Sequence, residues 1–132
     1  MTTASPMTEI ICAGEKLDAA AVSALRTRIA VLAAQGCRTV VVDLTATRRI
    51  DSSGLAVLAG AHKRLRGHGG TLAIAAANGT VTRALRAVGL DRVLHVRATV
   101  EDAAAMARNS RDVARSRQGR ERVHRGGRGR SR

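Results

Sequence analysis

Thr39-Val40-Val41-Val42-Asp43-Leu44 is β-branched or apolar at nearly every position, and after Thr45 to Arg49 the chain reads Ile50-Asp51-Ser52-Ser53-Gly54. A run that is apolar at odd and even positions alike has no polar face, which predicts a central strand covered on both sides. The period then changes: Leu55, Leu58, His62 and Leu65 recur at helical spacing until Gly67-His68-Gly69-Gly70. A buried strand feeding an amphipathic helix is half of a crossover connection.

The same alternation extends outward in both directions. Upstream, Thr8-Glu9-Ile10-Ile11-Cys12-Ala13 is a short strand closed by Gly14, and Asp18 precedes Ala19-Ala20-Ala21 as a helix N-cap. Val22, Leu25, Ile29 and Leu32 form the buried stripe of that helix, Arg26 and Arg28 turn away from it, and Gly36 closes it. Downstream, Thr71-Leu72-Ala73-Ile74-Ala75 is a third strand, and Val81, Leu85 and Val88 mark a helix ending at Gly89. Arg92 to Val96 reads as a short strand before a helix over residues 100–107. The expected architecture is a small single-domain α/β fold, with a largely parallel sheet of about four strands and three to four helices.

Composition places the domain boundary. The chain has 132 residues and a net charge of +13, a length of about one domain. Of 29 Leu, Ile and Val, only Val113 and Val123 fall beyond residue 107, so residues 1–107 carry the core. Residues 108–132 hold ten Arg against Asp112 and Glu121, a net +8, and include Arg125-Gly126-Gly127-Arg128-Gly129-Arg130. Such a segment has too little apolar surface to offset its ordering entropy, so a disordered basic C-terminal tail is expected.

The same inventory excludes several function classes. The chain has no Phe, Tyr or Trp, which removes base-stacking platforms and aromatic cages. Its apolar stretches are far shorter than the roughly 18 residues a membrane span needs, so no membrane association and a cytoplasmic location are expected. Cys12 and Cys37 stand singly, with no CxxC, and both are read as reduced, buried fillers with no metal or cofactor attached.

Asp51-Ser52-Ser53-Gly54 is the one motif that carries chemistry, because it gathers two hydroxyls and a carboxylate where a helix begins. Ser and Asp are preferred at such positions as caps. They also make a modifiable site, since a phosphate on a hydroxyl there meets free N–H donors and the positive end of the helix dipole.

The sequence resembles STAS domains of the anti-sigma factor antagonist, or anti-anti-sigma, family over roughly residues 8–107. The resemblance rests on Gly14-Glu15 with Leu17-Asp18, Val41-Val42-Asp43-Leu44, Ile50-Asp51-Ser52-Ser53-Gly54-Leu55, Gly69-Gly70 and Gly89-Leu90-Asp91. It implies a non-enzymatic switch in which the second serine, Ser53, is phosphorylated, with Asp51, Ser52 and Gly54 forming the phosphosite loop. The implied partners are an anti-sigma factor with serine kinase activity and a serine phosphatase, and binding of the first releases a sigma factor to activate transcription. The chain departs from the family pattern at Arg48-Arg49, in the added residue of Gly14-Glu15-Lys16-Leu17-Asp18, in Ala77-Asn78-Gly79-Thr80 without its usual proline, and in lacking a late Phe.

Other residues invite weaker readings. His62 lies in register with Leu58 and Leu65, as a packed helix histidine does, and Ser53, Asp51 and His62 lack the GxSxG elbow of a hydrolase. Asp43 and Asp51 bracket the switch loop, where capping and loop hydrogen bonds are the default reading and positioning a phosphate-bound metal when a partner docks is the alternative; Asp43 is also a candidate partner contact. Ala56, Gly60, Lys63 and Arg64 form a face of small and cationic side chains suited to a partner helix. The Arg-rich tail offers weak support for nucleic-acid contact. Two alternative functions follow: a basic nucleic-acid-associated protein, and an unphosphorylated STAS scaffold or transport subunit.

Overall fold

The computed structural model describes residues 8–77 and 79–109. In chain order they form β1 (Thr8–Cys12), β2 (Lys16–Leu17), α1 (Ala19–Ala34), β3 (Thr39–Asp43), β4 (Arg49–Ile50), α2 (Ser52–Gly67), β5 (Thr71–Ala75), α3 (Gly79–Ala87), α4 (Leu90–Val93) and β6 (His95–Arg97). A last helix, α5, covers residues 100–109. The main sheet has the order β1-β3-β5-β6, and every pair is parallel.

Two apolar layers sandwich β3, whose Val40, Val41 and Val42 are all fully buried. Val40 and Val42, with Leu72 and Ile74 of β5, face Val22, Leu25, Ile29 and Leu32 of α1, Leu58 and Leu65 of α2, and Val81 and Leu85 of α3. Val41, Ala73 and Ala75 face the other way, against Ala103, Ala104 and Ala107 of α5. Burying one Leu, Ile or Val contributes roughly 1.5–3 kcal/mol and Ala far less, so the first layer carries most of the apolar stabilisation. The α1 stripe forms as the periodicity predicts: Asp18 caps α1 by accepting the Ala21 N–H at 3.2 Å, and Gly36 ends it with φ +80°.

The structure corrects four expectations. Among the described residues there are five helices rather than three to four, because Leu90–Val93 closes a helical turn in which the Leu94 N–H reaches the Leu90 carbonyl at 2.8 Å. The last strand therefore starts at His95, not Arg92. Val88 lies in the turn after α3 and is exposed, so it is no part of that helix's buried stripe. Cys12 is exposed, being the last residue of an edge strand, whereas Cys37 is buried and burial raises its thiol pKa. Both thiols are free.

Helix α5 continues two residues past the expected domain end at 107, and Ala107 is its last buried residue. The expected tail lies, from residue 110 onward, outside the described residues. Among the described residues no helix is long and apolar enough to cross a membrane.

Candidate functional site

The start of α2 is held by a second, two-stranded sheet that has no local signature in the sequence. Lys16-Leu17 (β2) pairs in parallel with Arg49-Ile50 (β4), residue for residue. The loop before β4 is tied to the loop before β2: buried Thr47 donates its hydroxyl to the Gly14 carbonyl at 2.5 Å, and the Arg48 and Arg49 N–H groups both reach the Glu15 carbonyl, at 2.7 and 3.3 Å. Leu17, almost fully buried, anchors this small sheet in the core.

Gly54 lets the first turn of α2 press directly on that sheet. A Cβ at residue 54 would stand 2.9 Å from both the Leu17 carbonyl oxygen and Ile50 Cγ1. Only a residue without a side chain fits, so the glycine of the motif is set by packing.

Asp51 is the N-cap of α2. Its backbone is extended (φ −107°, ψ −175°), and its Oδ1 accepts the Gly54 N–H at 3.0 Å. The same Oδ1 accepts the Ser53 hydroxyl at 2.6 Å. These two bonds, that from Ser53 first, hold the Asp51 carboxyl below the usual carboxylate range. Capping and hydroxyl chemistry, which the sequence left joined, are thus divided: Asp51 satisfies the backbone, and Ser53 donates to Asp51. Ser53 is half-buried, while Ser52 and Asp51 are exposed. The Ser53 oxygen keeps lone pairs free for an incoming electrophile at the positive end of a 16-residue helix.

The remaining candidates separate. Ala56, Gly60 and Arg64 lie together in a groove between α1 and α2, of about 190 Å³, which Arg26, Ile29, Val57 and Ala61 complete. Lys63 is exposed and outside that groove. Asp43 turns into its own loop, accepting the Thr45 N–H at 2.9 Å and the Thr45 hydroxyl at 2.6 Å, with the Cys12 thiol 3.8 Å from its other oxygen. No hydrogen bond among the described residues joins Asp43 to Asp51, Ser52 or Ser53.

His62 is nine residues beyond Ser53 on α2, about 13 Å along the helix, so the two cannot share a proton. Its pKa is lowered by burial, then by Arg66 and His95. Among the described residues no three His, Cys, Asp or Glu side chains gather as a metal site.

Two residues that sequence reasoning passed over matter here. Thr47 is a buried hydroxyl whose partner is 33 residues away, and only a Thr in a polar loop hinted at it. Arg26 was read as turned to solvent, but the packing of α1 on α2 places it on the rim of the groove. The structure also unites two departures from the family pattern, since Lys16, Arg48 and Arg49 line one polar hollow with Glu15, immediately before Asp51.

The family model of the STAS domain matches residues 3–103. No curated protein sequence gives a significant match. Among solved structures, an anti-sigma factor antagonist from Mycobacterium paratuberculosis is 25% identical over 76% of this chain and 86% of its own, with a TM-score of 0.69. SpoIIAA, a Bacillus anti-sigma factor antagonist, in its unphosphorylated form is 24% identical over 82% of this chain and 94% of its own, also at 0.69. A sulfate transporter family protein from Wolinella succinogenes shares the fold at 16% identity and a TM-score of 0.70, over 82% of this chain and 89% of its own.

Proposed function

Because the chain belongs to the STAS domain family, we propose that it is an anti-sigma factor antagonist whose binding to an anti-sigma factor is switched by phosphorylation of Ser53. Like the regulators and transporter domains that share its fold, it is not an enzyme. The chemistry belongs to partners: an anti-sigma factor that is also a serine kinase, and a serine phosphatase that restores the hydroxyl. Unphosphorylated protein occupies the anti-sigma factor in the cytoplasm, and a sigma factor is released.

The observation that supports this reading is the 2.6 Å hydrogen bond from Ser53 Oγ to Asp51 Oδ1 at the first turn of α2. In the kinase step the γ-phosphorus of ATP bonds to Ser53 Oγ as its bond to the leaving ADP oxygen breaks, and the hydroxyl proton passes to a basic group of the kinase or to solvent. The product carries roughly −1.5 to −2 charges where a neutral donor stood. Asp51 then loses its donor and faces an anion of its own sign. The N–H groups of α2 tolerate the phosphate, so the domain stays folded while the surface beside the groove changes charge.

The test is to incubate the full chain with each purified anti-sigma kinase of the same organism and ATP, then map the phosphate by mass spectrometry. Incorporation at Ser53, with loss of the complex, supports the switch. Stable binding with no incorporation at any serine overturns it in favour of the scaffold reading, which the transporter relatives share by fold alone.

A further inference from the structure

Resting on the antagonist reading above, we propose that the groove between α1 and α2 receives a carboxylate-bearing segment of the anti-sigma partner, with Arg26 and Arg64 binding its acidic side chains. The groove has an apolar floor of Ile29, Val57 and Ala61 and arginine on both rims. Among the described residues the ion pair is Arg28 with Glu9, at 3.6 Å, and neither Arg26 nor Arg64 has a carboxylate partner. Arginine binds carboxylates through a planar fork of donors. Two such forks beside an apolar floor suit a segment that presents an aliphatic side chain between two acidic ones.

Residues 1–7 and 110–132 do not have the acidic character that the groove selects. Residues 1–7 contain no Asp or Glu, and residues 110–132 hold nine Arg against Asp112 and Glu121. Charge therefore repels the tail from the groove and selects an acidic occupant from another protein. The groove also lies on the face of α2 that begins at Ser53: Ala56 and Gly60 follow it at three and seven residues. Ser53 starts that face one turn before Ala56, whereas Arg64 lies eleven residues on, about 16 Å along the helix, so the groove binds the acidic segment at a distance from the phosphorylation site.

Gly60 provides a way to fill the groove from α2, because a Cβ there meets no heavy atom within 4 Å. The experiment compares the unphosphorylated full chain with R26E, R64E, G60L and, as a charge-matched control on α3, R86E. The probe is the anti-sigma kinase that phosphorylates Ser53, with affinity measured at low and high salt. Each groove variant is expected to bind at least tenfold more weakly, R26E and R64E at the parent melting temperature and G60L at or above it, R86E to change affinity less than threefold, and the parent's affinity to fall with salt. Equal affinity of R26E, R64E and G60L with the parent overturns the groove while leaving the switch intact. A parent that binds no anti-sigma kinase overturns the antagonist reading and this inference with it. Self-association lost in G60L, with kinase binding unaffected, assigns the groove to a second copy and overturns the acidic partner.

Discussion

Ser53 Oγ lies 2.6 Å from Asp51 Oδ1, the same oxygen that takes the Gly54 N–H at 3.0 Å. One carboxylate oxygen thus holds both the helix start and the Ser53 hydroxyl. Any change at Ser53 reaches the cap of α2 with no intermediate residue.

Substitutions at Ser53 separate modification from capping. Because Asp51 is the cap, Ser53→Ala should lower stability by less than about 1 kcal/mol, the net worth of one hydrogen bond, yet abolish phosphate incorporation. Ser53→Asp should weaken anti-sigma binding by about tenfold or more with the fold intact. Ser52→Ala should still be phosphorylated. Phosphate incorporation and complex affinity check all three, and parent-level incorporation in Ser53→Ala would refute the assignment.

The Asp51 carboxyl should titrate below its ordinary value of 3.8, mainly because of the Ser53 hydroxyl. The folded pKa being depressed, the charged cap stabilises the fold above the ordinary value, and this is lost as pH falls through the lowered one. NMR titration of the side-chain carbonyl carbon should show the midpoint moving back toward 3.8 in Ser53→Ala. A midpoint that ignores the substitution would mean the hydroxyl is not bonded there in solution.

Two glycines of α2 should respond in opposite directions to the same change. Gly54→Ala drives a Cβ against the Leu17 carbonyl and should cost about 1–3 kcal/mol. Gly60→Ala enters open space and should gain about 0.5–1 kcal/mol from helix propensity. Chemical denaturation midpoints distinguish them, and equal effects would contradict the packing described.

Mild acid should destabilise the fold through His62 and His95. His62 Nδ1 is buried without a hydrogen-bond partner, and burial is the first cause of the lowered pKa of both rings, with Arg66 and His95 adding to it at His62 and Arg97 at His95. The unfolded chain takes up these protons first, so stability is full above the ordinary value of 6.5 and declines as pH falls below it toward the folded values. Urea midpoints should drop between about pH 7 and about pH 5. His62→Leu should remove part of that slope, and a slope unchanged when His95→Gln is added would rule both residues out.

Stability should reside in the residues up to the end of α5, since Ala107 is the last buried side chain described. A chain ending at Asn109 should melt within a few degrees of the full chain. Any affinity for nucleic acid should vanish with the truncation and fall steeply with salt. Salt-insensitive binding by the shortened chain would place the contact in the domain instead.

Elements with a strong apolar period were legible because the period is itself the burial pattern: Val22, Leu25, Ile29 and Leu32 on α1, and Val40 to Val42 on β3. The β2–β4 pair was not, since two-residue strands carry no period and meet across more than thirty residues. Asp51, Ser53 and Gly54 were recognisable as a motif, but sequence could not say which of the three caps, which donates and which makes room. The groove was half visible: α2 showed Ala56, Gly60 and Arg64, whereas Arg26 joins them only through the packing of α1.

The spatial order of the main sheet, β1-β3-β5-β6, is also the order in which its strands leave the ribosome. Each nascent strand can be added to the free edge of those already paired, and none has to be threaded between two partners. Each pairing closes only the loop made by the intervening crossover, which keeps the entropic barrier to each step low for a parallel sheet. The alanine-lined α5 emerges after these strands and covers the second face of a sheet that its first-face helices have already secured.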